Sequence, residues 1–437
     1  MSIGGNDGAL GRLNEEQRAE YWASLALRRT KGIGIRTVCR LLKYFGSAYA
    51  AVYAVPRWRE AGVAPGKGTA LSGEEWRREA RPEWEDARDL DGEILLWTDP
   101  RYPSLLRELP DAPPLLYARG DLSLLLRPCM AIVGSRGCSR QGREQSAAVA
   151  RELSACGIAV VSGMARGIDR AAHEAALEEQ GSSIAVLGSG VDVIYPRQCT
   201  DIYRELISCG LILSEFPPGT LPQGPNFPIR NRIISGLSLG VIVGEAALKS
   251  GSMVTARIAL EQNRSVYTLQ PARSVSSQVS EGCGNLIEQG AKSVTHPLEI
   301  IKDILPQLQE MPPVLIHTPS HSNRRTTRRE LPLYPKEAAR PIPSPEHTAP
   351  SPLSPEAPSP EILPSSPAEA AILEQLRTHG SLDVDSLLEF LPSSEESDAP
   401  PLSVDVGSLN ALLLMMEVRG MVRRLPGNMY EAVHHVP

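Results

Sequence analysis

The sequence predicts an α/β protein: a Rossmann-like, doubly wound parallel sheet with an N-terminal helical domain and a C-terminal winged-helix domain. Short runs that are apolar throughout recur between residues 93 and 308, as in AIVG (131–134) and IAVVSG (158–163). Amphipathic segments of helical spacing separate them, such as GREQSAAVARELSACG and GIDRAAHEAALEEQG. Strands that read as unbroken apolar runs are buried on both faces. Strict alternation with helices gives right-handed βαβ units and hence a parallel sheet. A proline-rich stretch sets the last part of the chain apart, with 16 of 38 prolines lying between Pro306 and Pro367.

The first region, 14–92, reads as helical. EEQRAEYWASLALRR has helical apolar spacing at Tyr21, Leu25 and Leu27. KGIGIRTVCRLLKYFGS (31–47) resembles a helix-hairpin-helix, in which a glycine turn lets backbone N–H groups approach a phosphate at a helix start. A plain tight turn between packed helices fits the same residues.

The second region, 93–308, carries the sheet. ILLW (94–97) and PLLYARG (114–120) are candidate edge strands. AIVG, IAVVSG, SIAVLGSG (183–190), LILSEF (211–216), LGVIVGEA (239–246) and SVYTL (265–269) follow as core strands. The third region, 309–367, is rich in Pro, Ser and Glu and reads as an extended, disordered linker. Its basic cluster RRTTRR (324–329) reads as a solvated charge run. The fourth region, 368–437, has three helical segments and a short hairpin, the pattern of a winged helix. Its third helix carries Ser408, Asn410, Met415, Met416 and Glu417 with no Lys or Arg before Arg419. A helix that reads a major groove normally brings basic and amide side chains. Contact with a protein is therefore expected of this domain, and the acidic SSEESDAPP (393–401) points the same way.

Composition limits the function. A net charge of −6 excludes a basic coat over the whole molecule, so any polyanion site is a local patch. The seven cysteines form no CxxC pair and no zinc-ligand spacing with histidine, so reduced thiols in a cytoplasmic protein are expected. No signal-peptide pattern and no apolar run long enough to span a bilayer is present, so no membrane association is expected.

The first glycine turn, AIVGSRGCSRQG (131–142), departs from both common phosphate loops. A dinucleotide turn needs G-x-G-x-x-G, and here the three positions are Gly134, Arg136 and Ser139. A Walker loop needs GK followed by Ser or Thr, whereas Gly142 precedes Arg143 and Glu144. Neither an NAD site nor an NTPase site is supported, and no cofactor or metal is expected. An anion site remains, formed by the strand end, the following helix N-terminus and the planar fork of Arg136.

Ligands of open α/β sheets gather at the carboxyl ends of the strands. Those ends supply Gly134, Ser135 and Arg136, then Ser162, Gly163, Arg166 and Gly167, then Arg230, Asn231 and Arg232, then Lys249, Ser250, Gly251 and Ser252. Residues 131–270 hold 13 Lys and Arg against 12 Asp and Glu, so five cations at strand ends would be a local feature. Such a row suits a strand of nucleic acid better than one small nucleotide, and Tyr195, Phe216 and Phe227 lie where bases could stack. Asp169 is expected to cap its helix. Glu215 and Glu245 end strands and are placed to pair with Arg230 or Arg232. His173 reads as a packing residue, and no Ser–His–Asp or nucleophile-elbow pattern occurs.

Taken together, GSR (134–136), SGMARGID with AAH (162–173), AVLGSGVDVIYP (185–196), LILSEFPPG (211–219), FPIRNRIISGLS (227–238) and EAALKSGSMVTA (245–256) resemble the DNA-processing protein A family, DprA or Smf. The resemblance implies a non-enzymatic protein that binds single-stranded DNA in natural transformation, protects it and loads the recombinase RecA. It also implies a homodimer through the Rossmann-like domain. It makes Arg136 the leading DNA contact, followed by Arg230, Arg232 and Lys249, with the glycine turns binding phosphate through backbone amides. Two departures stand out: TLQPARS (268–274) where the family more often has a Val-Pro-Gly turn, and the long linker. The rival is a nucleotide-processing hydrolase of the LOG group, but KSGSMVT (249–255) lacks that group's paired glycines and following glutamate.

Overall fold

Helix formation in the first part of the chain follows from its caps. In a computed structural model, which describes residues 8–64, 66–73, 75–179, 181–269, 277–310, 367–390, 409, 413, 416, 421–425 and 429–433, a short helix α1 (Gly8–Gly11) precedes α2 (Glu15–Arg29). Asn14 and Gln17 close α2 with a reciprocal capping box, acidic residues fill its first turn and arginines its last. Gly34 opens α3 (Ile35–Phe45), and Gly46, at φ 85°, ends it in the left-handed region. The buried carboxylate of Glu20 accepts N–H bonds from Ala48 and Tyr49 at the start of α4 (Ala48–Tyr53). A long α5 (Glu75–Asp89) completes the helical layer.

Two compact units divide the chain, Met1–Val314 and Leu315–Pro437. Among the described residues the first holds nine strands. β1 (Glu93–Leu96) leads through the short α6 (Ser104–Arg107) to β2 (Leu115–Gly120), and the pair is antiparallel. The alternating series follows: β3 (Cys129–Val133), α7 (Arg140–Ala155), β4 (Ala159–Ser162), α8 (Ile168–Leu177), β5 (Ser183–Val186), α9 (Thr200–Cys209), β6 (Leu211–Ser214), α10 (Asn226–Gly236), β7 (Gly240–Val243), α11 (Gly251–Glu261), β8 (Ser265–Leu269), α12 (Ser277–Glu288), β9 (Lys292–Val294) and α13 (Pro297–Glu310).

The sheet order is β1-β2-β6-β5-β4-β3-β7-β8-β9. From β6 to β9 every pairing is parallel, and β2 joins β6 antiparallel. The winding reverses between β3 and β7, which makes that gap the topological switch point. Strands β3 to β7 are buried at every position, as their apolar runs require. Helices α7, α8 and α9 pack in a row, and α10 packs on α11. The sequence did not signal β9, whose three residues KSV carry no apolar run.

The helical layer is fastened to the sheet by a buried polar cluster. Glu83 on α5 pairs with Arg28 (3.2 Å) and Arg29 (2.5 Å) of α2 and accepts a bond from Tyr117 of β2 at 2.7 Å. Tyr21 and Tyr117 share a hydroxyl bond of 2.9 Å. Burial alone would raise the Glu83 pKa, but the two arginines and the Tyr117 hydroxyl outweigh it and hold the carboxyl below its ordinary range.

The second unit contains α14 (Pro367–His379), β10 (Leu382–Asp383), α15 (Val384–Phe390), β11 (Val422–Leu425) and β12 (Met429–Ala432). Its strands form an antiparallel sheet of order β10-β12-β11. Leu409, Leu413 and Met416 are helical and wholly buried in its core with Ile372, Leu376 and Leu387. Of the linker expected at 309–367, residues 309 and 310 end α13 and Pro367 starts α14, so the extended reading is corrected at both ends. The rest of it with its basic cluster, the acidic 393–401 and the altered turn at 270–273 lie outside the described residues. All seven cysteines are free thiols.

Candidate nucleic-acid interface

The first glycine turn sits at the switch point, where Ser135 N donates to the Glu245 carbonyl at 2.7 Å. The expected phosphate seat at the start of α7 is filled from within. The Glu245 carboxylate accepts the Ser139 N–H (2.7 Å) and the Ser139 hydroxyl (2.5 Å), while Ser139 Oγ accepts Gly142 N–H at 2.9 Å. The Glu245 carboxylate is engaged by Ser139, and among the described residues no ion pair joins it to Arg230 or Arg232. Its charge meets the positive end of α7, so the expectation of an open anion site there is corrected.

The second strand end is occupied in the same way. Asp169 lies in the first turn of α8, yet its carboxylate turns back to Gly163 N–H (3.2 Å) and Ala165 N–H (3.4 Å). It fixes the preceding loop instead of capping its own helix, as had been expected. Burial raises its pKa, against the pull of Arg230 and the surrounding N–H groups. Gly167 adopts φ 81° beside the Ser135 carbonyl, a conformation that glycine alone enters at no cost. His173 Nε2 accepts Met164 N–H, and Nδ1 bonds Ser183 Oγ, which donates to the Val160 carbonyl. Burial, helped by Arg230, pushes His173 down to about 3, so it stays neutral.

Arg230 runs beneath this loop. Its Nη1 donates to the carbonyls of Gly163 (2.8 Å) and Val186. A Cβ on residue 163 would stand 2.5 Å from that guanidinium, so the glycine makes room for the arginine. Burial pulls Arg230 down to about 10, with Asp169 opposing and Arg136 adding to the effect, and it remains a cation at neutral pH. Arg232 is also internal: it pairs with Glu215 and donates to the Asp111 carbonyl at 2.6 Å. Both arginines stand as supports of the strand ends. Their sequence position alone had suggested surface cations.

Above Arg230 opens a cleft of about 450 Å³ lined by Arg136, Gly163, Arg166, Tyr195, Arg197 and Phe227, among others. Arg136, Arg166 and Arg197 are exposed, and no carboxylate is among the lining residues. Tyr195, 38% exposed, stands 5.6 Å from Phe227 ring to ring. Phe227 has the guanidinium of Arg136 at 5.8 Å and that of Arg230 at 5.9 Å from its centroid, a cation–π arrangement.

Of the residues expected at the site, the structure thus brings Arg136, Gly163, Arg166 and Arg230 together. Ser162 is buried and donates to Ile132, and Gly134 is packed under Ile168. Ser135 accepts Gly137 N–H within its own turn. Lys249 is exposed in the loop between β7 and α11 but does not line the cleft. Ser250 caps α11, Ser252 is buried, and Asn231 reaches the Gly251 carbonyl at 3.4 Å. Arg197 and Gln198 line the cleft and were missed, although they directly follow the strand-end segment that stopped at Pro196. Among the described residues no group of three or more His, Cys, Asp and Glu side chains could hold a metal, and no helix is long and apolar enough to cross a membrane.

Residues 93–305 match the family model of DNA recombination-mediator protein A, and residues 18–81 match the DprA-like N-terminal HHH domain. DNA processing protein DprA of Streptococcus pneumoniae is 44% identical over 205 residues, covering 47% of this chain and 72% of that protein. Protein Smf of Synechocystis is 36% identical over 303 residues, covering 67% of this chain and 73% of that protein. The X-ray structure of DNA processing protein A from Streptococcus pneumoniae superposes with a TM-score of 0.56 at 34% identity, covering 66% of this chain and 97% of that one. On these matches of sequence and overall fold, the chain belongs to the DNA recombination-mediator protein A family, DprA or Smf.

Proposed function

We propose that the cleft binds single-stranded DNA and that the chain processes DNA in transformation and recombination. One observation carries this reading: three exposed arginines surround an open aromatic cleft that no carboxylate lines. Arginine forks suit phosphate oxygens, and Tyr195 over Phe227 offers a stacking face that any unpaired base fits. A duplex keeps its bases stacked inside, out of reach of such a face. Family membership supports the further roles: the protein protects the strand, passes it to the recombinase RecA, and acts in the cytoplasm as a homodimer through the Rossmann-like domain. The same membership supports a role that does not depend on catalysing a reaction. The divisions at 14–92, 93–308, 309–367 and 368–437, and a winged-helix reading of the last, complete the proposal.

A gel-shift comparison of short single and double strands tests the core of this reading. Single strands are expected to bind more tightly, with each neutralised phosphate adding about −0.7 to the log–log salt slope. Arg136→Ala with Arg166→Ala should flatten that slope by about 1.4, and equal binding of the folded double variant would remove the cleft from consideration.

A further inference from the structure

We infer that the cleft is a one-nucleotide site that prefers a phosphomonoester, the chemistry of a phosphorylated strand end or a free nucleotide, over an internal phosphodiester. The inference rests on the reading of the cleft as a single-strand site. Four guanidinium groups line it, those of Arg136, Arg166, Arg197 and Arg230. No carboxylate lines it, and Arg230 has no ion-pair partner among the described residues: its Nη1 goes to two carbonyls and its Nε has no hydrogen-bond partner. The nearest acid, Asp169, is directed at backbone N–H groups. Asp169 offsets the burial of Arg230 only in part; a buried cation without an ion-pair partner is costly, and an anion beside it relieves that cost. An internal phosphodiester brings one negative charge, whereas a phosphomonoester brings about −1.5 to −2 at neutral pH, more of what four cations call for.

Size agrees with charge. The cleft measures about 450 Å³, within the range of roughly 300–1,000 Å³ for sites that enclose a small ligand. Its floor is closed by Arg230, at 5% exposure, and its wall carries the two rings of Tyr195 and Phe227. One phosphate over the arginines and one base against the rings account for all of these groups.

The test uses the full chain and one short oligonucleotide in three forms: hydroxyl at both ends, phosphate at the 5′ end, and phosphate at the 3′ end. Fluorescence anisotropy should show at least one phosphorylated form bound on the order of tenfold tighter than the hydroxyl form, about 1.4 kcal/mol. Thymidine monophosphate as competitor separates the two sources. If it displaces the labelled strand and thymidine does not, a free nucleotide suffices; if it fails while the end preference holds, the strand end is the ligand. Either result supports the inference. In Arg166→Ala with Arg197→Ala the difference between the ends should vanish. Equal affinity for all three forms would overturn the inference and leave single-strand binding standing. Failure of every form to bind would overturn both.

Discussion

Phe227 illustrates how little a residue's type reveals of its job. In sequence it is one apolar residue near the start of a helix, and core packing is the simpler assignment. In the structure its ring leans on the backbone of Gly188 and carries a guanidinium near it from both Arg136 and Arg230. Phe227→Ala should therefore weaken single-strand binding by about 1–3 kcal/mol, read as anisotropy at fixed salt, while thermal unfolding moves little. Arg230 and Arg232 show the reverse error. Position at strand ends suggested surface cations, but burial and their carbonyl and carboxylate partners are set by chain segments far away in sequence, at 163, 186 and 215. His173 gives a residue-scale pH signature. Its folded pKa of about 3 lies below the unfolded value near 6.5, so the unfolded chain binds the extra proton first. The His173 contribution is fully present above pH 6.5 and is lost progressively as pH falls toward 3. His173→Gln, followed by urea unfolding at several pH values, should flatten stability across that window.

At the level of elements, the sequence was most legible where one physical signal dominated. Buried strands announced themselves as apolar runs, and α2 was readable to the residue because its cap, charge bias and apolar face agree. β9 was not legible because an edge strand with exposed Lys292 and Ser293 needs no apolar pattern. The start of α7 was misread for a different reason. A glycine turn before a helix looks the same in sequence whether a ligand or an internal carboxylate fills it, and Glu245 lies 106 residues from Ser139. Glu245→Ala should destabilise the protein by about 0.5–2 kcal/mol through loss of the cap bonds, measured as a lower urea midpoint at unchanged slope. Added inorganic phosphate partly restoring the midpoint would show that the seat accepts an external anion once emptied.

For the molecule as a whole, the first unit behaves as one body because polar and apolar contacts tie the helical layer to the sheet. Glu83 is the centre of the polar tie, joining α2, α5 and β2 in a buried cluster. Glu83→Ala takes the carboxylate from Arg28, Arg29 and Tyr117, leaving Arg28 only the Glu215 carbonyl, and should cost about 3–5 kcal/mol. Helical and sheet signals should still be lost together on heating; two separate transitions in the wild type would contradict a single cooperative unit. The α/β class and the strands' order of appearance were readable from spacing, whereas the rank given to Arg136 came from the family resemblance. Which cations face outward was not, because that depends on how the strand ends converge in three dimensions.

Gly163 and Arg230 are 67 residues apart yet occupy each other's space. Neither can change alone: a side chain at 163 displaces the guanidinium, and a shorter residue at 230 leaves two carbonyls unserved beneath a loop cut to fit it. The two positions form a single heritable character. Lineages of this family should keep both or exchange both in concert, so a departure at one position alone forecasts a remodelled cleft floor in the relative that carries it.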